Sequence, residues 1–414
     1  MESEDIGSYQ NENDKDDGRD IGRPERRIKK LKSARELNKK EIKDYFENRA
    51  TKLKVVKTTS TPGGHILDWV KIESQNPRGK IATPPPPIAL PETKVFKGRE
   101  VKTVKFELEH SDVERGPKGT IPILRKDLTK IRSTKSLQDY LSKHGHKTVS
   151  RSLDDKHTVE VPGDGAHDYA YTAQFGAIYG GEGNISAYDP YVEWSNEFSL
   201  AQIALARGSG SGKQTVEAGW QEYNDQYGDW VPHLFVFYTT NGYTSQGDNV
   251  GGYNRDVDGW IQYSNSIYPG ALSSPNSVQG GDQYIMFIKY QFYQDNWWLN
   301  CNGNWIGYYS ASLFNDGGLR WQADKVAFYG EIVDSADHQG LTRTDMGSGY
   351  WPEYEWPWAA YMSNLRFQSD TDGGMSTYNA DVVWASDPDL YDLITFMNSG
   401  TTWGSYFWFG GPGG

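Results

Sequence analysis

A single cysteine, Cys301, stands in a chain of 414 residues, so no internal disulfide and no cysteine-built zinc site can form. No apolar run reaches the length of a membrane-spanning helix. The opening Met1-Glu2-Ser3-Glu4-Asp5 is acidic and lacks an apolar core segment, so no secretory signal is visible there. HExxH, CxxC and GxSxG patterns are missing, and Gly208-Ser209-Gly210-Ser211-Gly212-Lys213 has neither P-loop spacing nor a Ser/Thr after its lysine. The histidines are scattered. His144 and His146 form the one close pair, in a polar stretch where solvation is the simplest reading. No cofactor and no metal site is therefore expected.

Basic charge is scarce in one part of the chain only. Residues 1–160 hold 35 Lys+Arg against 26 Asp+Glu, a net of +9, whereas residues 161–414 hold 8 against 29, a net of −21. Fourteen of the 15 tryptophans also follow residue 160. Two kinds of polypeptide meet there, and three regions are expected: a charged, disordered tail (1–31), a basic leading segment (32–160) and a strand-rich part (161–414). The basic cluster Arg23–Lys32 has acidic residues interspersed and no aromatic platform after it, so no nucleic-acid partner is expected. No membrane partner is expected either, and the chain reads as a monomer.

Within the leading segment, Ser33–Asn48 has a helical stripe of Leu37, Ile42, Tyr45 and Phe46, with Ser33 and Glu36 spaced as a capping box. A strand is expected within 61–75 and another at 102–110. Thr83-Pro84-Pro85-Pro86-Pro87 reads as a stiff spacer, and Ser133–His144 as a second short helix. A polar linker, open to proteolysis, is placed at Gly145–Gly165. Beyond it, ten short runs alternate apolar and polar side chains. They are 170–179, 197–207, 214–223, 233–238, 259–263, 283–292, 297–300, 305–309, 325–332 and 359–367. Such strands, separated by Gly, Asn and Asp turns, predict an all-β chain: an antiparallel β-sandwich of jelly-roll type. Asp256-Val257-Asp258-Gly259 and Asp370-Thr371-Asp372-Gly373 begin like calcium loops but lack the glutamate at the twelfth position, and read as turns.

Two strand-like runs each hold one glutamate among apolar and aromatic residues. They are Thr215-Val216-Glu217-Ala218-Gly219-Trp220-Gln221 and Phe328-Tyr329-Gly330-Glu331-Ile332-Val333. A glutamate in a strand usually faces water, but two on one sheet face can meet across neighbouring strands. Desolvation and mutual repulsion then raise one of the pair, giving an acid and a base from two identical groups.

These two runs resemble the neprosin family of glutamic peptidases, which are prolyl endopeptidases. The matches Glu197-Phe198-Ser199-Leu200, Gly251-Gly252-Tyr253-Asn254, Asn296-Trp297-Trp298-Leu299, Ile306-Gly307-Tyr308 and Thr344-Asp345-Met346-Gly347-Ser348-Gly349 follow in family order. Residues 61–75 are similar to the end of the family's activation peptide. The chain departs from the pattern at Trp69, where plant members commonly have cysteine, and at Gly252 and Val257, which stand where the family has two disulfide-bonded cysteines.

The resemblance implies a sandwich of two large sheets, a zymogen, secretion, and cleavage after proline at acidic pH without metal or cofactor. It places the catalytic pair at Glu217 and Glu331. Trp220, Gln221, Trp297 and Tyr329 are the candidates for holding a proline-containing peptide, and the chain's own pro-segment is the other expected partner. The rival readings are a carbohydrate-binding β-sandwich and a catalytically lapsed relative. What separates them is whether the two carboxyl groups approach within a few ångströms.

Overall fold

The computed structural model describes residues 24–76, 80–90, 95–96, 99–132, 135–143, 148–152, 158–162, 167–335 and 340–414. Two mostly antiparallel sheets face each other, as the alternation predicts. One has seven strands, in the order Gly251–Tyr253, His233–Thr239, Gln214–Glu222, Phe198–Arg207, Ala323–Val333, His167–Ile178, Val382–Ala385. The other has eleven, with Gly180–Ser186, Gln283–Tyr293 and Ala360–Gln368 near its middle. Val216, Ala218, Trp220, Ile203 and Phe328 of the first sheet pack between the layers against Ile185, Ile288, Tyr290, Trp297 and Met362 of the second. Burying a large apolar side chain of this kind contributes about 1.5–3 kcal/mol. No helix among the described residues is long and apolar enough to cross a membrane.

All ten expected strands are present, within a few residues at each end. Gly180–Ser186 is a strand the pattern hid, because Gly-Gly-Glu-Gly shows no alternation. Its glycines answer to packing: a Cβ at Gly183 would stand 2.6 Å from Leu365 and one at Gly181 2.7 Å from Val326. The C-terminal strands Val382–Ala385, Asp392–Phe396 and Tyr406–Gly410 were also unforeseen.

The leading segment is more ordered than expected. Its first helix is Pro24–Thr51, not Ser33–Asn48. Proline is tolerated in a first helical turn, and the Arg/Lys/Glu-rich residues that follow are good helix formers. Residues 24–31 are thus helical rather than a disordered tail, while 1–23 lie outside the described residues. The second helix shrinks to Leu137–Leu141, capped by Ser136, whose hydroxyl accepts from the Asp139 amide at 3.2 Å. Within 61–75, Ile66–Lys71 is the central strand of a three-stranded sheet with Val55–Ser60 and Thr120–Leu124. Trp69 is buried there, against Gly116, where a Cβ would lie 2.2 Å from its ring.

The polyproline run is not a free spacer. Trp305 Nε1 donates to the Pro86 carbonyl at 3.1 Å, and Ile81, Ala82 and Ile88 pack on Trp298, Trp305 and Tyr308. Arg99–Thr103 runs parallel to Gln283–Tyr293 as an added strand of the larger sheet. Phe106 and Leu108 enter the main core. The expected linker is described only in part, as a hairpin of Thr148–Ser152 and Thr158–Pro162.

Candidate active site

Alternation assigns the side chains of Gln214–Glu222 to two faces. Val216, Ala218 and Trp220 point between the sheets, and Thr215, Glu217 and Gln221 point the other way. In Ala323–Val333 the same rule sends Phe328 and Ile332 inward and Tyr329, Glu331 and Val333 outward. Phe198–Arg207 lies between these strands. Glu217 is registered opposite Ala204, Glu331 opposite Leu200, and Gln202 sits midway on the same face.

A third residue joins the pair. Lys143, in the turn after helix Leu137–Leu141, is buried with its Nζ 2.9 Å from Glu217 Oε2, 2.9 Å from Glu331 Oε2 and 3.3 Å from Gln202 Oε1. The ammonium thus directs its three N–H groups to three acceptors. Both carboxylate oxygens bond one nitrogen, so they cannot be more than twice 2.9 Å, or 5.8 Å, apart. One water molecule would span the same gap. The rings of Phe237 and Phe235 lie 5.8 and 5.9 Å from the ammonium.

Each glutamate is held by further donors. Thr215 Oγ1 and the Tyr243 hydroxyl, both at 2.7 Å, donate to Glu217 Oε1, and Gln202 Nε2 donates to Oε2 at 2.9 Å. Glu331 Oε1 accepts from the Tyr169 hydroxyl at 2.9 Å and lies 2.8 Å from His167 Nδ1. Burial alone would push both carboxyls up, but Lys143 and these hydrogen bonds outweigh it and hold each at about 2. With Lys143 in place, both glutamates are ionised.

The four residues proposed for substrate contact divide between the faces. Tyr329 and Gln221 share the glutamates' face: Gln202 Nε2 bonds the Tyr329 hydroxyl, and Gln221 Nε2 donates to the Tyr253 hydroxyl at 3.1 Å. Trp220 and Trp297 are core residues instead. Trp220 Nε1 donates to the Ser186 carbonyl at 2.9 Å and Trp297 Nε1 to the Leu319 carbonyl at 2.8 Å, both between the sheets. Even spacing from Glu217 would have kept a residue at the site, and Trp220 lies three positions on.

Lys143, Gln202, Tyr169, Tyr243 and His167 were missed. Gln202 had a signal, being the one polar residue in Leu200-Ala201-Gln202-Ile203-Ala204-Leu205. Lys143 had none, because one lysine in a basic segment looks like any other. Beside Glu331, Tyr169, Tyr171, Tyr329 and Trp384 form an aromatic wall with ring centroids 5.2–6.2 Å apart.

The Neprosin family model matches residues 195–412. Among solved structures, the chain is similar to scytalido-glutamic peptidase bound to a peptide-based transition-state analogue. That likeness has 10% identity and a TM-score of 0.32, and covers 59% of this chain and 98% of that one. It is also similar to SCP-B, an eqolisin-family peptidase in complex with the tripeptide Ala-Ile-His, with 9% identity, TM-score 0.31, and 59% and 98% covered. A third likeness is to toad ovary galectin in complex with thio-digalactose, with 8% identity, TM-score 0.20, and 41% and 91% covered.

Proposed function

The chain belongs to the Neprosin family, and from that premise we propose that it is a glutamic endopeptidase cleaving after proline, folded as a zymogen and activated in acid. Family membership supports the peptidase class. The observation that carries the zymogen reading is the Lys143 ammonium shared by Glu217 and Glu331 at 2.9 Å each.

In the zymogen this ammonium occupies the position a nucleophilic water needs. It also keeps both carboxylates ionised, which leaves no acid for the leaving nitrogen. Once the lysine is withdrawn, two buried carboxyl groups a few ångströms apart cannot both stay charged, and they share a proton. The ionised member takes a proton from water as it attacks the scissile carbonyl. The protonated member polarises that carbonyl and then protonates the leaving amine. The pair titrates as a unit, so the acid and base roles belong to it jointly. Thr215, Tyr243, Gln202 and Tyr169 fix the carboxylates for these transfers. The tyrosine wall beside Glu331 offers flat apolar faces to a proline ring.

The test holds purified full-length protein near neutrality and at about pH 4, within reach of ordinary carboxyl titration. Fragment size and hydrolysis of a proline-containing peptide are followed together. Hydrolysis is expected to rise only as the N-terminal segment is cut and lost. Full activity from uncut chain would overturn the zymogen reading, and no hydrolysis after complete removal of the segment would overturn the peptidase.

A further inference from the structure

About the N-terminal segment's second attachment, we infer that His65, Asp229 and His233 form a binding site for a zinc-class divalent cation, clasping that segment to the seven-stranded sheet. His65 comes from the turn before strand Ile66–Lys71. Asp229 follows the short helix Asn224–Tyr227, and His233 opens the strand His233–Thr239. One ligand atom from each lies within 4.8 Å of the other two. His65 Nε2 is 3.2 Å from Asp229 Oδ2, and His233 Nε2 is 2.8 Å from Asp229 Oδ1. Ligands about 2.0–2.1 Å from a tetrahedral zinc ion stand roughly 3.3 Å from one another, so small side-chain shifts would admit the ion.

The far side of each ring fits the same reading. His233 Nδ1 lies 2.8 Å from the Gly270 carbonyl, which can only accept, so that nitrogen carries the proton and donates. His65 Nδ1 faces Glu107 Oε2 at 3.5 Å, and the Tyr268 hydroxyl donates to that oxygen at 2.9 Å. Histidine ligands to metals are held in this way, with one nitrogen donating to a carbonyl or carboxylate and the other presenting its lone pair to the ion. Both Nε2 atoms then point at Asp229. The two rings lie beside each other at this buried seam, with centroids 5.3 Å apart. Tyr227 stacks on His233 with centroids 4.0 Å apart and fixes the ring. The Asp229 side chain is 25% exposed, which gives the ion a route in and leaves a water to complete four ligands. Two imidazoles and one carboxylate suit zinc or cobalt better than calcium or magnesium.

Cation binding does not depend on the peptidase reading; only its consequence, slower loss of the N-terminal segment, rests on that reading. Full-length protein is titrated with Co²⁺ and, separately, with Zn²⁺. One ion per chain is expected, with the visible absorption of tetrahedral cobalt, displaced by zinc. His65→Gln and Asp229→Asn should each weaken binding at least a hundredfold while far-ultraviolet circular dichroism stays unchanged. Both alter groups nearer the surface than His233, which keeps the fold and the test intact. Zinc should also slow hydrogen exchange across strand Ile66–Lys71 in the wild type and not in His65→Gln. Absence of stoichiometric binding, or equal binding by folded His65→Gln and Asp229→Asn, would overturn the site.

Discussion

Replacing Lys143 by methionine keeps the length of the side chain and deletes its charge. Two charge-assisted hydrogen bonds of 2.9 Å disappear. At about 1.5–3 kcal/mol each, the loss is about 3–6 kcal/mol, in line with the roughly 3–5 kcal/mol typical of removing one partner from a buried ion pair. The segment that presents Lys143, residues 137–143, should therefore open more often by about a hundredfold to about ten-thousandfold, at about 1.4 kcal/mol per tenfold. Hydrogen exchange over a peptide spanning these residues reads this opening directly.

The pH dependence has a definite sign. In the wild type, Glu217 and Glu331 are held at about 2, below the ordinary glutamate value of about 4.3. Their contribution is complete above about 4.3 and is lost as pH falls towards about 2. In Lys143→Met two buried carboxylates face each other unpaired, which raises one of them. That penalty is full at neutral pH and is relieved as the raised group takes up a proton. Exchange rates of variant and wild type, corrected for intrinsic exchange, should thus differ widely at neutrality and converge in acid. A difference smaller than about threefold at neutral pH, or one that widens in acid, would refute the assignment of Lys143 as the clamp.

After removal of the N-terminal segment with an added protease, Glu217→Gln and Glu331→Gln should each retain less than about a hundredth of wild-type peptide hydrolysis, since acid–base catalysis contributes at least about 10²-fold. A folded variant above that level would take the residue out of the mechanism. Cys301→Ser should leave hydrolysis unchanged: the thiol is buried, burial pushes its pKa well above the ordinary range, and the proposed chemistry forms no covalent intermediate. Inactivation of the folded wild type, but not of Cys301→Ser, by a thiol-alkylating reagent would count against this.

Legibility tracked local periodicity. Strands with alternating side chains announced themselves, and so did the two glutamates, because a carboxylate inside Val216–Trp220 or Phe328–Val333 conflicts with its surroundings. Tyr329 and Gln221 follow from the same alternation, which equally sends Trp220 to the core. What stayed hidden was set by distant packing. Gly180–Ser186 is a strand because Leu365 and Val326 leave no room for side chains over it. Lys143 matters through residues 74 and 188 positions away. His65 and His233 come together only because a three-stranded sheet in the leading segment lies against the sandwich.

The charge asymmetry, +9 over residues 1–160 and −21 over 161–414, suggests a diffuse attraction between the two parts. The structure resolves much of it into specific pairs. Arg49 reaches Asp248 and Asp258, Lys126 bonds Asp256 at 3.1 Å, and Lys143 takes the two glutamates. Asp256 and Asp258 are the residues whose spacing imitates a calcium loop, and their acidity serves the leading segment's cations instead. The distinction matters for activation. A diffuse field is screened within about 8–10 Å at ordinary salt, whereas buried pairs are screened far less. Salt should accordingly loosen the exposed Arg49 contacts before it touches Lys143, and acid is the agent that reaches the inner clamp. Release in acid then follows from proton uptake at the catalytic pair itself: the freed carboxyl groups bind a proton that the clamped pair, held at about 2, does not. The groups proposed to do the chemistry are thereby also the sensor that exposes them.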